Sequence, residues 1–181
     1  MIRLPLTMEH ALLGLLRERP RHGYDIHQLL SDPAGLGAIW RLKQSQLYAL
    51  LAKLETDGFV ASTLKPQDTR PTRKVFRLTK TGREAFLAWV QSPVPHGREM
   101  RLDFLAKFYF ARREGREVAG QLIELQRATC RDWLEAQRAQ AEALRDSHLD
   151  EWIVHRFRIG QLEAILRWLE TCEQTLSAST G

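Results

Sequence analysis

Apolar residues recur at helical spacing near the middle of the first half of the chain. Four leucines stand at i, i+3, i+4 and i+7 and predict one apolar helix face: Leu47, Leu50, Leu51 and Leu54. The other side of this helix is small and polar and carries no acid: Ser45, Gln46, Tyr48, Ala49, Ala52 and Lys53. Such a face fits the major groove of DNA, where Ser and Gln reach base edges and Lys and Tyr reach phosphates. An ordinary core helix with a solvated outer face is the alternative.

Two runs of β-forming residues follow this helix, at about 59–64 and 74–78, with a basic, proline-bounded turn between them. Residues 65–83 contain seven Lys and Arg residues and one acid, Asp68, so this segment carries a charge of +6. A groove helix followed by a basic hairpin predicts a winged helix-turn-helix, in which the wing lies along the phosphate backbone. A solvated charged loop is the alternative, but it leaves the concentration of charge in this segment unexplained.

The rest of the first half is also predicted to be helical, with helices at about 7–19, 23–30 and 80–90. Thr79 is the expected N-cap of the last of these helices. Tyr24 stands at the start of the second helix. There its hydroxyl reaches a phosphate or its ring lies at the edge of the core, and the sequence leaves both interpretations open.

Residues 92–97 contain two prolines and a glycine and form the clearest linker in the chain. We therefore predict two domains, a winged helix-turn-helix DNA-binding domain at 1–91 and a helical dimerisation and effector domain at 98–181. The predicted fold class is mostly α with a small β-hairpin wing.

The second half is predicted to be entirely helical, with helices at about 100–113, 117–146 and 151–176. The last helix carries two apolar stripes. One is a heptad-like seam that runs from Trp152 to Leu176, and the other consists of Ile153, Phe157, Ile165 and Trp168. Two stripes need two partners, one from this chain and one from a second subunit. A monomeric helical hairpin with both stripes inside is the alternative. The predicted dimerisation residues are Phe104, Phe108, Trp152, Ile159, Leu162, Leu166 and Leu169.

The charge of the chain is unevenly distributed. Residues 1–90 hold 14 Lys and Arg against 8 Asp and Glu, whereas residues 91–181 hold 13 against 14, and the net charge is +5. An anionic partner is therefore expected for the first half only. The two cysteines are not in metal-ligand or CxxC spacing and indicate a reducing compartment. No signal peptide and no transmembrane run is recognisable, so we expect a cytoplasmic protein.

No motif in the sequence is typical of an enzyme. There is no nucleophile elbow, glycine-rich phosphate loop or metal-ligand cluster, and we predict no cofactor. His155 lies on an apolar seam, where a core histidine is more usual than a metal ligand. Three tryptophans in the helical half form a candidate effector pocket or belong to the core: Trp133, Trp152 and Trp168.

A set of short motifs in this sequence resembles the PadR family of bacterial transcriptional regulators. These motifs are LLGLL at 12–16 with Pro20, Gly23-Tyr24, Trp40, SQLYALLAKLE at 45–55, GFV at 58–60 and FRLTKTGR at 76–83. Beyond the linker, RLDFLAKFYF at 101–110 is similar to the helical domain of longer PadR-like proteins. The family often has an aromatic pair in the second wing strand, where this chain has Val75-Phe76, so a tyrosine role at that place does not transfer.

The resemblance implies a homodimeric repressor that binds a palindromic operator in double-stranded DNA and that a small aromatic effector releases. The residues predicted to contact DNA are Tyr24, Lys43, Gln44, Ser45, Gln46, Tyr48, Ala49, Lys53, Lys65, Arg70, Thr72, Arg73 and Lys74. A protein-interaction module that uses the winged fold without DNA is the main alternative, although a wing with a charge of +6 argues against it.

Overall fold

The structure is a computed structural model that describes residues 7–67, 70–145 and 147–178; the side chains of residues 65–73 are outside this description. The chain forms two compact units, one of residues 1–91 with 101–110, and the other of residues 92–100 with 111–181. Helices predominate, and the sheet has three short strands, so the predicted fold class is confirmed. Within the described ranges, no helix is both long enough and apolar enough to cross a membrane.

The first unit contains four complete helices and the sheet. Their bounds are α1 Thr7–Glu18, β1 Arg21–His22, α2 Gly23–Ser31, α3 Gln44–Thr56, β2 Val60–Gln67, β3 Arg70–Leu78 and α4 Lys80–Gln91. The strands are antiparallel in the order β1-β3-β2. The sequence did not predict β1, and β2 and β3 extend further toward their turn than expected. Thr79 caps α4 as predicted, because its Oγ1 accepts the N–H of Gly82 at 3.0 Å.

The start of α3 differs from the sequence interpretation, which treated the stretch from Ile39 as helical. A short 3-10 helix at Leu36–Ala38 precedes it, and α3 itself begins at Gln44. The backbone of Lys43 is extended, and its N–H donates to Oε1 of Gln46 at 3.2 Å. This bond closes the first turn and fixes the beginning of the helix.

The residues at 101–110 pack in the first unit, whereas the sequence assigned them to the second domain. They belong largely to α5, Asp103–Glu114. Phe110 meets Phe86 edge-on at 5.6 Å between ring centroids, and it also covers Gly14 of α1. A Cβ at Gly14 would stand only 2.5 Å from the Phe110 ring. The boundary therefore falls after the first part of α5, because its aromatic side chains complete the winged core.

The second unit is built around two long helices, α6 Arg116–Leu144 and α7 Leu149–Ala178. Ion pairs join Arg127 to Glu173 at 2.5 Å and Arg138 to Glu163 at 2.8 Å, so the two helices run antiparallel. Gln126 of α6 is fully buried, and its Oε1 accepts the N–H of Val94 at 2.7 Å. This bond attaches the predicted linker to the second unit.

Candidate nucleic-acid interface

The outer side of α3 is open to solvent. Of the predicted apolar face, Leu47, Leu51 and Leu54 are fully buried in the core and Leu50 is half-buried. The exposed residues of the helix include Gln44, Ser45, Gln46, Tyr48, Ala49 and Ala52, and Lys43 immediately before it is exposed too. The only acid of α3 is Glu55 in its last turn. A phosphate backbone could therefore approach the first three turns without meeting a carboxylate on this helix.

Gln46 combines a structural contact with a free approach from solvent. Its Oε1 accepts the backbone N–H of Lys43, which satisfies one donor at the start of α3. A glutamine side chain also has an NH₂ group that can donate to the acceptors of a base edge. The position of Gln46 in the first turn of an exposed helix suits that contact.

Two tyrosines lie at the N-terminal end of α2. Tyr24 is 54% exposed, and its hydroxyl accepts a hydrogen bond from Nε2 of Gln28 at 3.0 Å. Tyr48 of α3 is 41% exposed and lies over Gly23, where a Cβ would stand 2.6 Å from its ring and 2.9 Å from its hydroxyl. With about half of its surface exposed, Tyr24 fits both a phosphate contact and a ring at the edge of the core, and its DNA contact stays a prediction.

The wing is a hairpin of β2 and β3, and within it β3 is paired on both of its edges. β2 and β3 pair from Val60 opposite Leu78 up to Lys65 opposite Arg73, with an irregularity between Lys65 and Gln67. On its other edge β3 pairs with β1, which places Arg21 opposite Phe76. Four predicted DNA contacts have side chains outside the described residues, and their assignment stays a prediction: Lys65, Arg70, Thr72 and Arg73.

One carboxylate joins α3 to both strands of the wing. Oε2 of Glu55 lies 2.5 Å from Nζ of Lys74 on β3, and its Oε1 accepts the hydroxyl of Ser62 on β2. We call this cluster of Glu55, Ser62 and Lys74 the Glu55 bridge. The Lys74 ammonium, and next the Ser62 hydroxyl, hold the pKa of the Glu55 carboxyl below its ordinary value.

The remaining contacts of Lys74 also belong to the protein. Its ammonium lies 5.3 Å from the centre of the Phe76 ring, and its carbonyl oxygen is 3.3 Å from Nδ1 of His22. The sequence predicted Lys74 as a phosphate contact. In the structure its charge is paired with Glu55.

Lys53 is likewise engaged within the protein. Its ammonium forms an ion pair with the carboxylate of Glu9, which is almost fully buried on α1, and lies 3.6 Å from Oδ2 of Asp57. A buried carboxylate requires a partner, so this pair ties α3 to α1. The charge of Lys53 thus neutralises Glu9 in this structure, and its predicted DNA contact stays a prediction.

The predicted dimerisation residues lie mostly inside the chain. Phe104 is fully buried in the first unit, and its ring stacks on that of Phe108. In the second unit, α6 and α7 share a cluster of buried residues with partly buried ones around it: Leu134, Ala141, Ile159 and Leu162, surrounded by Trp133, Trp152 and Leu166. Leu169 is fully buried as well. The heptad-like seam of α7 is thus corrected to a contact with α6 of the same chain.

The second stripe of α7 is the exposed one. Ile153 is 51% and Phe157 65% exposed, and Val154 and Leu149 are also open to solvent. Gly160, three residues after Phe157 on the same helix, also faces open space, since a Cβ there would meet no atom within 4 Å. His155, on the seam, is part-buried and has Nδ1 2.8 Å from Oε1 of Gln137, so its ring has a hydrogen-bond partner within the chain.

The three tryptophans do not line one site. Trp133 and Trp152 pack against the same buried cluster of the second unit. Trp168 lies sixteen residues after Trp152 on one continuous helix, which separates them by about 24 Å along its axis. A small aromatic molecule could contact Trp133 together with Trp152, but not Trp152 together with Trp168.

The sequence interpretation missed Glu55 and β1. On the helical wheel, Glu55 lies 80–90° away from the centre of the apolar face of α3, next to Tyr48. An acid at the edge of an otherwise basic motif was the feature of the sequence that could have indicated its role. β1 has only two residues and carries no strand pattern. Its pairing with β3 depends on contacts between distant parts of the chain.

An exposed helix with an acid-poor face beside a basic antiparallel wing defines the winged helix-turn-helix class. Residues 12–88 match the sequence model of the transcriptional regulator PadR-like family. The chain is 30% identical over 142 residues to the negative transcriptional regulator PadR of Bacillus subtilis, which covers 78% of this chain and 73% of that protein. The chain therefore belongs to the PadR-like family of transcriptional regulators, as the resemblance predicted. This is a family of regulators and not of enzymes.

Other similar proteins are regulators too. The probable transcriptional regulator Rv1176c of Mycobacterium tuberculosis is 27% identical over 96 residues, or 53% of this chain and 50% of that protein. A crystal structure of Bacillus subtilis PadR in complex with operator DNA aligns with a TM-score of 0.48 and 26% identity, covering 94% of this chain and 99% of that chain. A structure of the same protein in complex with p-coumaric acid aligns with a TM-score of 0.42 and 24% identity, covering 95% and 99%.

Proposed function

We propose that this protein is a homodimeric repressor that binds a palindromic operator with α3 in the major groove and the wing on the phosphate backbone. The observation that carries the proposal is the exposed, acid-poor outer face of α3 beside a wing whose strand β3 is paired on both edges, with β2 and with β1. A fixed wing adds phosphate contacts that orient the helix in the groove. A cytoplasmic location fits this role.

The residues divide into two groups. Ser45 and Gln46 in the first turn of α3 are placed to read base edges, and Ala49 is small enough to let the helix lie deep in the groove. Lys43 and the two exposed tyrosines would contact phosphates. The basic wing residues other than Lys74 would form the backbone clamp.

Repression and dimerisation have separate support. The Bacillus subtilis relative is named a negative transcriptional regulator, which favours repression here. The exposed apolar stripe of α7, centred on Ile153 and Phe157, favours a second copy of the chain as its partner. A two-fold dimer would place two copies of α3 on two half-sites, so the operator is expected to be palindromic. An aromatic effector remains a prediction, and Bacillus subtilis PadR has been crystallised with p-coumaric acid.

The first test is enrichment of a duplex from a random pool by the purified protein, followed by salt titrations on that duplex and on random DNA. Gln46→Ala should weaken binding to the enriched duplex by about 1–3 kcal/mol, with much less effect on random DNA and with the salt slope nearly unchanged. Arg73→Ala should weaken both duplexes and reduce the slope of log K against log salt by about 0.9 per chain.

The contact between Gln46 and Lys43 requires a control. Gln46→Ala also removes a helix cap, which costs about 0.5–2 kcal/mol of stability. Gln46→Glu keeps the acceptor for the Lys43 N–H but lacks the NH₂ donor. We expect Gln46→Glu to retain the thermal stability of the parent and to lose its preference for the enriched duplex. If only stability changes in Gln46→Ala, Gln46 is a cap and not a reader. If no duplex is enriched, the protein-interaction module becomes the better proposal.

A further inference from the structure

The Glu55 bridge lies between the two elements that the proposed function assigns to DNA. The carboxylate belongs to the last turn of α3, and its two partners belong to the two strands of the wing. Within β2 and β3, Ser62 pairs opposite Phe76, and Lys74 pairs opposite Leu64, so the carboxylate contacts both strands close to the base of the hairpin.

The bridge also determines how much positive charge the wing offers to DNA. The ammonium of Lys74 is 2.5 Å from a carboxylate oxygen and lies over the Phe76 ring, which is buried. A lysine that neutralises a carboxylate releases no counterions from DNA, because only cations paired with phosphate do so. An unpaired Lys74 would add affinity for any sequence, since phosphate contacts carry no sequence information.

We propose that Glu55 is a positioning residue for sequence selection: it holds the wing at a fixed place beside α3 and keeps Lys74 from serving as a phosphate contact. This inference rests on the proposed function and deepens it. Selectivity rises because the wing cannot shift to follow a mismatched duplex and because one sequence-independent contact per chain is withheld.

The test compares the parent with Glu55→Gln in salt titrations on a duplex enriched by the parent and on a random duplex of equal length. Glutamine keeps an acceptor for the Ser62 hydroxyl and removes the charge that pairs Lys74. The expected result is a salt slope on random DNA that becomes steeper by about 0.9 per chain. The ratio of enriched to random affinity should fall by roughly two- to fivefold, the range of an exposed ion pair.

Lys74→Gln tests the same bridge from its other end. In the parent, Lys74 is withheld from phosphate, so its removal should leave the salt slope unchanged while the affinity ratio falls. A loss of about 0.9 in slope per chain would overturn the inference, because it would show that Lys74 contacts phosphate in the parent complex. Exchange of the pair, Glu55→Lys with Lys74→Glu, should restore much of the ratio lost in either single variant.

Glu84→Gln is the matched control. Glu84 is an exposed acid of α4, and its Oε1 lies 4.0 Å from Nζ of Lys80. Glu84→Gln therefore changes the net charge by the same amount as Glu55→Gln without altering a contact of the wing strands. If Glu55→Gln and Glu84→Gln change slope and ratio alike, the inference is wrong and the proposed function stands. If the parent itself does not prefer any duplex, the proposed function fails and the inference fails with it.

Discussion

Phe157 offers the sharpest test of the exposed stripe on α7. A phenylalanine covers about 150–250 Å² when fully enclosed. Because 65% of Phe157 is exposed, a partner that covered it completely would remove roughly 100–160 Å² from water. At ~25 cal/mol per Å² this area is worth about 2.5–4 kcal/mol per chain.

In a two-fold dimer the substitution removes a ring from each chain, so the loss of binding free energy is doubled. The loss is smaller than this sum because the partner leaves part of each ring uncovered. We therefore expect Phe157→Gln to weaken the dimer by about 3 kcal/mol or more, which is on the order of a 100-fold rise in the dissociation constant. The fold of the single chain should be unaffected, since the side chain is mostly exposed within it.

The assay is sedimentation velocity over a range of protein concentrations, with circular dichroism to verify the fold. Leu102→Gln is the control, because Leu102 is an exposed apolar residue outside α7. A variant of the seam, such as Leu162→Asp, is unsuitable because Leu162 lies in the buried cluster between α6 and α7 and its loss would unfold the unit. The reasoning is refuted if the parent is a monomer at micromolar concentration, or if Phe157→Gln and Leu102→Gln leave equally tight dimers.

Three further predictions concern other parts of the chain. Gly82→Ala should lower the melting temperature markedly, because its Cβ would stand 2.1 Å from the carbonyl oxygen of Phe59, and backbone cannot move aside. A phenolic effector should quench tryptophan fluorescence and weaken DNA binding by one reciprocal factor, and Trp152→Phe should reduce the quenching while Trp168→Phe should not. The lowered pKa of Glu55 means that its bridge contributes stability above about pH 4.5 and loses it as the pH falls through the folded-state value. The stability difference between the parent and Glu55→Gln, followed by urea unfolding, should therefore be constant at neutral pH and shrink in acid.

The periodicity of apolar residues was sufficient to predict the helices of this protein. The leucines of α3 alternate with small polar residues so regularly that the buried and exposed faces follow directly from the spacing. The beginning of α3 could not be predicted in the same way. Trp40 is buried and extends the apolar pattern, whereas the bond from Lys43 to Gln46 that starts the helix leaves no trace in hydrophobicity.

The choice between the two stripes of α7 was also beyond the sequence. Both stripes contain large apolar residues at helical spacing, and only the packing of α6 decides which of them is covered. Ion pairing is equally non-local. From the sequence, Lys53 and Lys74 are candidates for DNA contacts. Only the fold places Glu9 beside Lys53 and Glu55 beside Lys74.

The contact between Gly23 and Tyr48 predicts how these positions evolve. The ring of Tyr48 occupies the space that a side chain at position 23 would need. A side chain at position 23 therefore requires either that the partly exposed Tyr48 ring turns away or that a smaller residue stands at position 48. The two positions should therefore vary as a pair among descendants of this sequence.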